Sequence, residues 1–222
     1  LQVLTPDFEK GVDLLAENEL HPAFPEKDFT VVRTQLAQAQ AGELVSPGHL
    51  FDKAIKAAIL PETDPTQRDA TPESIMNITR DDVLHYYQNA WRPDLTNIVV
   101  TGDITPEKAQ AVLEKAFGGW KAEGPAPDVN LPTVPLSKTS RATVPDKSSV
   151  QNDVVLAETL GLTAQNPDHF LLQLGNEVLG GGLFSSRLYR DMRVKTGYVY
   201  SVSSSFDWGR TRGAYTVNYG AD

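Results

Sequence analysis

The chain has 222 residues, 40% of them hydrophobic and 22% charged, and its 20 basic and 29 acidic side chains leave a net charge of -9. That balance, with no long basic block, excludes general binding to phosphate backbones, so no nucleic-acid partner is expected. The absence of Cys removes disulfides, thiol nucleophiles and thiolate metal sites together, and no apolar run approaches the ~20 residues of a membrane span.

Thr5-Pro6-Asp7 offers a capping hydroxyl and a first-turn proline, and Phe8, Val12 and Leu15 follow at helical spacing. A second helix is expected over 25–41, with Phe29, Val32, Leu36 and Ala39 as its apolar stripe. Ser46-Pro47 opens a third, whose buried face is Leu50, Phe51, Ile55, Ala58 and Ile59. Residues 61–72 read as a polar connection. Thr79-Arg80-Asp81-Asp82 caps a fourth helix to about Trp91, and 95–102 reads as a buried strand. Thr105-Pro106-Glu107 starts a fifth helix that ends at Phe117-Gly118-Gly119-Trp120. A proline-rich stretch over 121–135 has the composition of a linker. Beyond it, strands are expected over 140–144 and 152–159, a helix over 167–179, a short basic helix behind Gly180-Gly181-Gly182, and a last strand over 213–219.

The candidate chemistry is sparse. His21, His49, His85 and His169 are scattered, and none stands in an H-E-x-x-H or H-x-x-E-H frame, so they read as helix-end or surface residues. The serines around Ser201–Ser205 lack a G-x-S-x-G elbow and read as a solvated or groove-facing strand side. No Gly-Lys-Ser/Thr succeeds the glycine triplet, which excludes a P-loop. The triplet reads instead as a helix end that needs left-handed backbone, with Ser185 or Ser186 capping the next helix. Arg187, Arg190 and Arg193 drift round that helix, Leu188 and Met192 form its apolar side, and Gly197 closes it. Tyr198, Tyr200, Val202, Ser204 and Phe206 then share one strand face. Either Arg193 and Tyr200 converge on one cleft, or Arg193 caps carbonyls and Tyr200 packs in the core. The residue types alone leave both readings open.

Several stretches, in order, carry a family resemblance. Leu14-Leu15-Ala16 leads to His21-Pro22-Ala23-Phe24-Pro25. Ile78-Thr79-Arg80-Asp81-Asp82-Val83 is followed by Tyr87, Pro93 and Ile98-Val99-Val100-Thr101-Gly102-Asp103-Ile104, then by Phe117-Gly118-Gly119-Trp120. Gly181-Gly182-Leu183-Phe184-Ser185-Ser186-Arg187-Leu188 precedes Met192-Arg193-Val194-Lys195-Thr196-Gly197-Tyr198-Val199-Tyr200-Ser201-Val202. This succession resembles the pitrilysin/insulinase family of zinc metallopeptidases, including its bacterial and mitochondrial-processing branches.

The resemblance implies an α+β fold of layered α/β domains, each a mostly antiparallel sheet backed by helices, as in the mitochondrial processing peptidases. Residues 1–120 would be the C-terminal part of one such domain, 121–139 a linker, and 140–222 the N-terminal part of the next. The chain then reads as a piece of something longer. In the family, two halves close round a peptide. One half binds zinc through H-x-x-E-H and a downstream Glu, and the other contributes an Arg and a Tyr seven residues apart. The matching positions are Arg193, to hold a peptide carbonyl or carboxylate, and Tyr200, to donate to the forming oxyanion as well as bind substrate.

The departures are as informative. H-x-x-E-H is absent, and the helix that begins after Pro25 has no Glu between Phe29 and Glu43. The resemblance therefore implies a non-zinc-binding portion, with no metal or cofactor in this chain, zinc on the other half, and no activity from the chain alone. The implied partners are a peptide substrate, the H-x-x-E-H-bearing half or subunit, and further copies of the chain through exposed sheet edges. A periplasmic location would match the habit of bacterial members. The other function class it carries is a proteolytically inactive assembly subunit, like the core subunits of respiratory complexes.

Overall fold

The structure, a computed structural model, describes every residue except Ser148 and Asp222. The helices among these residues are α1 (Phe8–Leu20), α2 (Glu26–Glu43), α3 (Pro47–Ile59), α4 (Pro72–Met76), α5 (Arg80–Ala90), α6 (Pro106–Phe117) and α7 (His169–Asn176). The strands are β1 (Asn152–Leu160), β2 (Ser201–Trp208) and β3 (Gly213–Ala221). Two compact units result, one holding Leu1–Ala39 and Pro72–Asp128, the other Gln40–Thr71 and the chain from Val129 onward.

The first unit is helical. α1 packs against α6, with Val12, Ala16, Ala109 and Val112 buried, and Lys115 Nζ meets Glu9 at 2.7 Å across the same pair. A capping box opens α5: Asp82 N donates to Thr79 Oγ1 at 3.1 Å, and Thr79 N donates back to the Asp82 carboxylate at 2.8 Å. Tyr87 then donates its hydroxyl to the Glu19 carbonyl at 2.6 Å and meets Phe24 edge-on at 5.6 Å. Arg80 Nε holds the Phe24 carbonyl at 2.6 Å. Thr79, Asp82 and Tyr87 of the family-like run thus act as fasteners of the fold. Arg92, only 3% exposed, pairs with Asp94 and donates to the carbonyls of Glu123 and Gly124 at 2.6 and 3.0 Å.

The second unit is built on an antiparallel sheet of order β1-β3-β2, with pairs running from Asn152↔Ala221 to Leu160↔Gly213 and from Ser201↔Gly220 to Trp208↔Gly213. α7 continues into a π-helical turn over Glu177–Gly181 that lies on β2. Asn176, 4% exposed, donates Nδ2 to the Ser204 carbonyl at 2.9 Å. Its Oδ1 accepts from Ser204 Oγ at 2.7 Å and from the Tyr215 hydroxyl at 3.2 Å. A buried amide needs such partners, and this one ties helix to sheet. The connection before α4 is held by Asp64, whose carboxylate accepts from Thr66 N and Oγ1 and from Arg212 Nη1.

α1, α2, α3, α5 and α6 agree with the sequence pattern, whereas α4 is unexpected and several other expectations do not hold. No strand forms over 95–102 or 140–144: Pro93–Leu95 is a 3-10 turn, and Ile98 and Val99 stay 48% and 83% exposed. A β-branched run becomes a strand only where another backbone pairs with it, and among the described residues none does. The stripe of α2 lies open, with Phe29, Val32 and Leu36 along a groove of about 350 Å³ shared with Phe24, Ile75, Ile78 and Val83. The apolar face of α3 is only half-buried, and Leu50 is exposed. The helix expected over 167–179 begins at His169 and changes to π winding at Glu177.

The glycine triplet also has a different cause from the one expected. The glycines with left-handed φ among the described residues are Gly102, Gly124 and Gly197, not Gly180, Gly181 or Gly182. Gly180 is buried where the chain touches β2, and a Cβ there would lie 2.3 Å from Ser204 Oγ and 2.9 Å from Leu188 Cδ1. Close approach, not turn conformation, requires glycine at this position.

Candidate functional site

The segment carrying Arg193 starts at Ser186, which is fully buried. Tyr189 N donates to Ser186 Oγ at 3.4 Å and Arg190 N to its carbonyl at 3.0 Å, so Ser186 rather than Ser185 takes the capping place. The chain then winds as a π-helix over Tyr189–Lys195. Gly197, at φ +68, ends it, a conformation that costs glycine little.

The residues between Gly197 and β2 set the direction of Tyr200. Val199 is 3% exposed and acts as an anchor, while Tyr198 and Tyr200 are 77% and 67% exposed. Tyr200 N donates to the Gly220 carbonyl at 2.9 Å, and ladder pairing begins at Ser201. Within β2 the alternation buries Val202 and Ser204. The two tyrosines therefore do not share the inward face with Val202 and Ser204. The phase slips between the turn at Gly197 and the start of the ladder.

Arg193 folds back on this turn. Its Nη1 donates to the Val199 carbonyl at 3.2 Å, and its guanidinium carbon stands 5.2 Å from the Tyr200 ring centroid, within cation–π range. The guanidinium binds a backbone carbonyl, as the second reading expects, but Tyr200 lies outside the core, against that same reading. Arg190 lies beside Asp191, and the hydrogen bond from Lys195 holds the Asp191 carboxyl below its usual range. Arg187 is exposed. Of the three arginines, Arg193 is the one brought to Tyr200. An outward phenol beside a guanidinium can donate to a carbonyl or an oxyanion, and it sits at the head of a sheet-edge strand.

The histidines do not assemble a metal centre. His49 Nε2 is 3.5 Å from Asp69, which also takes Lys53, and the His169 ring packs against Phe170 and Trp208 at 4.9 and 4.5 Å. Among the described residues no group of three or more His, Asp or Glu side chains could hold a metal ion, so they do not fit a zinc site. No helix among them is long and apolar enough to cross a membrane. The residue that sequence reasoning missed is Val199. It is buried immediately before Tyr200, and adjacent extended residues face opposite ways, which sets Tyr200 outward.

The sequence pattern described as the "Peptidase M16 inactive domain" matches residues 77–222. An uncharacterized zinc protease of Bacillus subtilis, YmxG, is 30% identical over 226 residues, covering 97% of this chain and 51% of that protein. The chain thus spans about half the length of the curated relatives it matches. A peptidase M16 inactive domain from Pseudomonas fluorescens superposes with a TM-score of 0.78 at 24% identity, over 98% of this chain and 52% of that one. The periplasmic protease PqqL from Escherichia coli does so with a TM-score of 0.70 at 15% identity, over 99% of this chain and 25% of that one. These last two are likenesses of fold.

Proposed function

The chain belongs to the peptidase M16 inactive-domain family, and we propose that it is the non-zinc-binding portion of a zinc metallopeptidase, binding peptide and completing a chamber whose metal is held elsewhere. Residues 1–120 and 140–222 are parts of two successive domains in this reading, joined by 121–139. The observation that carries it is the meeting of Arg193 with an outward-facing Tyr200.

Each residue has a defined task. Tyr200 donates its hydroxyl to the oxygen that gains charge as the scissile carbonyl becomes tetrahedral, a contact stronger in the transition state than in the bound substrate. Arg193 places a positive charge beside it. An extended peptide fits the sheet-edge position of β2 by strand addition. Zinc, if held by a half or subunit bearing H-x-x-E-H, would supply the Lewis acid from outside this chain. The fold likeness to a periplasmic protease supports a periplasmic setting, and the sheet edge at β2 offers a route to self-association.

The test is hydrolysis of a quenched fluorescent peptide by this chain alone and mixed with a zinc-bearing half. Activity that appears on mixing and falls about 100-fold with Tyr200→Phe supports the proposal. Stoichiometric zinc with activity in the isolated chain overturns it. So does inactivity in a mixture whose halves are shown to associate.

A further inference from the structure

Arg193 is tied to its own chain at two points. Its Nη1 holds the carbonyl of Val199, the buried residue that immediately precedes Tyr200, and its guanidinium covers the Tyr200 ring. Tyr200 needs such support because little else restrains its side chain: the residue is 67% exposed and lies outside the strand, three positions past the left-handed Gly197. Its backbone is fixed separately, by the bond from Tyr200 N to the Gly220 carbonyl. Backbone fixing alone leaves the phenol free to swing about its first side-chain torsion, since staggered alternatives are open to an exposed residue.

We infer that Arg193 is a positioning residue: it clamps the 197–200 turn through the Val199 carbonyl and holds the Tyr200 ring in the one rotamer that presents its hydroxyl. Substrate contact by Arg193 is secondary to this task. The inference deepens the proposed function and rests on it for its catalytic meaning, whereas the clamp itself is a property of this chain. A displacement of about 1 Å in a reacting group costs up to 100-fold in rate, so a loose Tyr200 would lower turnover while leaving substrate affinity intact.

Two measurements separate the clamp from the function it serves. In the chain alone, with ring-labelled tyrosine, Tyr200 should give one resolved set of NMR signals, and Arg193 side-chain protons should be shifted by the ring. Arg193→Gln should collapse the Tyr200 signals toward those of a freely rotating tyrosine, and Arg193→Lys, which can still cap the carbonyl and face the ring, should restore part of the order. Tyr200 signals unchanged by Arg193→Gln would overturn the inference, whatever the activity of any mixture. In the mixed assay, Arg193→Gln should lower kcat by about 10- to 100-fold with KM within about twofold. Added to Tyr200→Phe, it should cost little more, because both changes remove one unit. A raised KM with unchanged kcat, multiplying the effect of Tyr200→Phe, would assign Arg193 to substrate binding and overturn the positioning role.

Discussion

Gly180 and Ser204 touch so closely that a methyl group on the glycine would lie 2.3 Å from Ser204 Oγ and 2.9 Å from its backbone nitrogen. Ser204 cannot yield easily, because its hydroxyl and carbonyl are both bound to buried Asn176. Gly180→Ala should therefore destabilise the chain by about 1–3 kcal/mol, the usual cost of overpacking. Gly175, one turn earlier in α7, has nothing within 4 Å of a Cβ. Gly175→Ala should be neutral or stabilising by up to about 1 kcal/mol, through helix propensity. Urea unfolding midpoints of the two variants check the pair. Equal midpoints would mean that the contact at Gly180 is not the constraint.

Gly197 is glycine for a different reason. Its φ of +68 is left-handed and its surroundings are open. Gly197→Ala should cost about 1–2 kcal/mol from backbone strain alone, and Gly197→Asn less, because asparagine tolerates this conformation. At Gly180 the order should reverse, asparagine being worse than alanine, since space is what is lacking there. The same pair of substitutions at both sites, measured by thermal unfolding, reads out which constraint acts where.

These two glycines show what the sequence made legible. Caps and prolines announce themselves locally, so Thr79 with Asp82, Thr105-Pro106 and Ser46-Pro47 place α5, α6 and α3 correctly. Gly197 as a helix stop was legible for the same reason. The task of Gly180 was not, because it depends on Ser204, which lies on another element. The stretch 95–102 has the composition of a strand, but a strand is a property of two segments, and no partner pairs with this one among the described residues. The candidate site was half legible. The family resemblance, not the spacing, pointed to Arg193 and Tyr200, and strict alternation put Tyr200 on the wrong face because the ladder begins only at Ser201.

Buried Asp64, paired with half-buried Arg212, predicts an acid-sensitive second unit. Burial by itself would raise the Asp64 carboxyl, but bonds from the Thr66 hydroxyl and amide and from Arg212 outweigh it, and the net direction is down. A carboxyl lowered in the folded state contributes stability above its unfolded value, about 3.9. That contribution is lost as pH falls from there through the lower folded value. Stability should therefore decline below about pH 4, and Asp64→Asn should flatten this acid limb while lowering stability at pH 7. Arg212→Met leaves the carboxylate without its cation and should cost about 3 kcal/mol at pH 7. Urea midpoints between pH 3 and pH 7 check both, and a limb as steep in Asp64→Asn as in the parent would assign the acid transition to other carboxyls.

Tyr200→Phe tests chemistry with the least structural disturbance. The ring remains to face Arg193, the backbone bond to Gly220 is untouched, and the hydroxyl removed belongs to a residue that is 67% exposed. Its unfolding midpoint should stay within about 0.5 kcal/mol of the parent, as for other surface changes. In the presence of a zinc-bearing half, kcat should nevertheless drop about 100-fold, with KM nearly constant, because an oxyanion donor acts in the transition state and not on the bound substrate. Tyr198→Phe, which alters a neighbouring phenol on a residue that is 77% exposed, is the control and should change neither quantity appreciably. If both tyrosine variants keep full activity in a mixture that hydrolyses peptide, the second half contributes shape to the chamber without a hydrogen-bond donor, and the role assigned to Tyr200 fails.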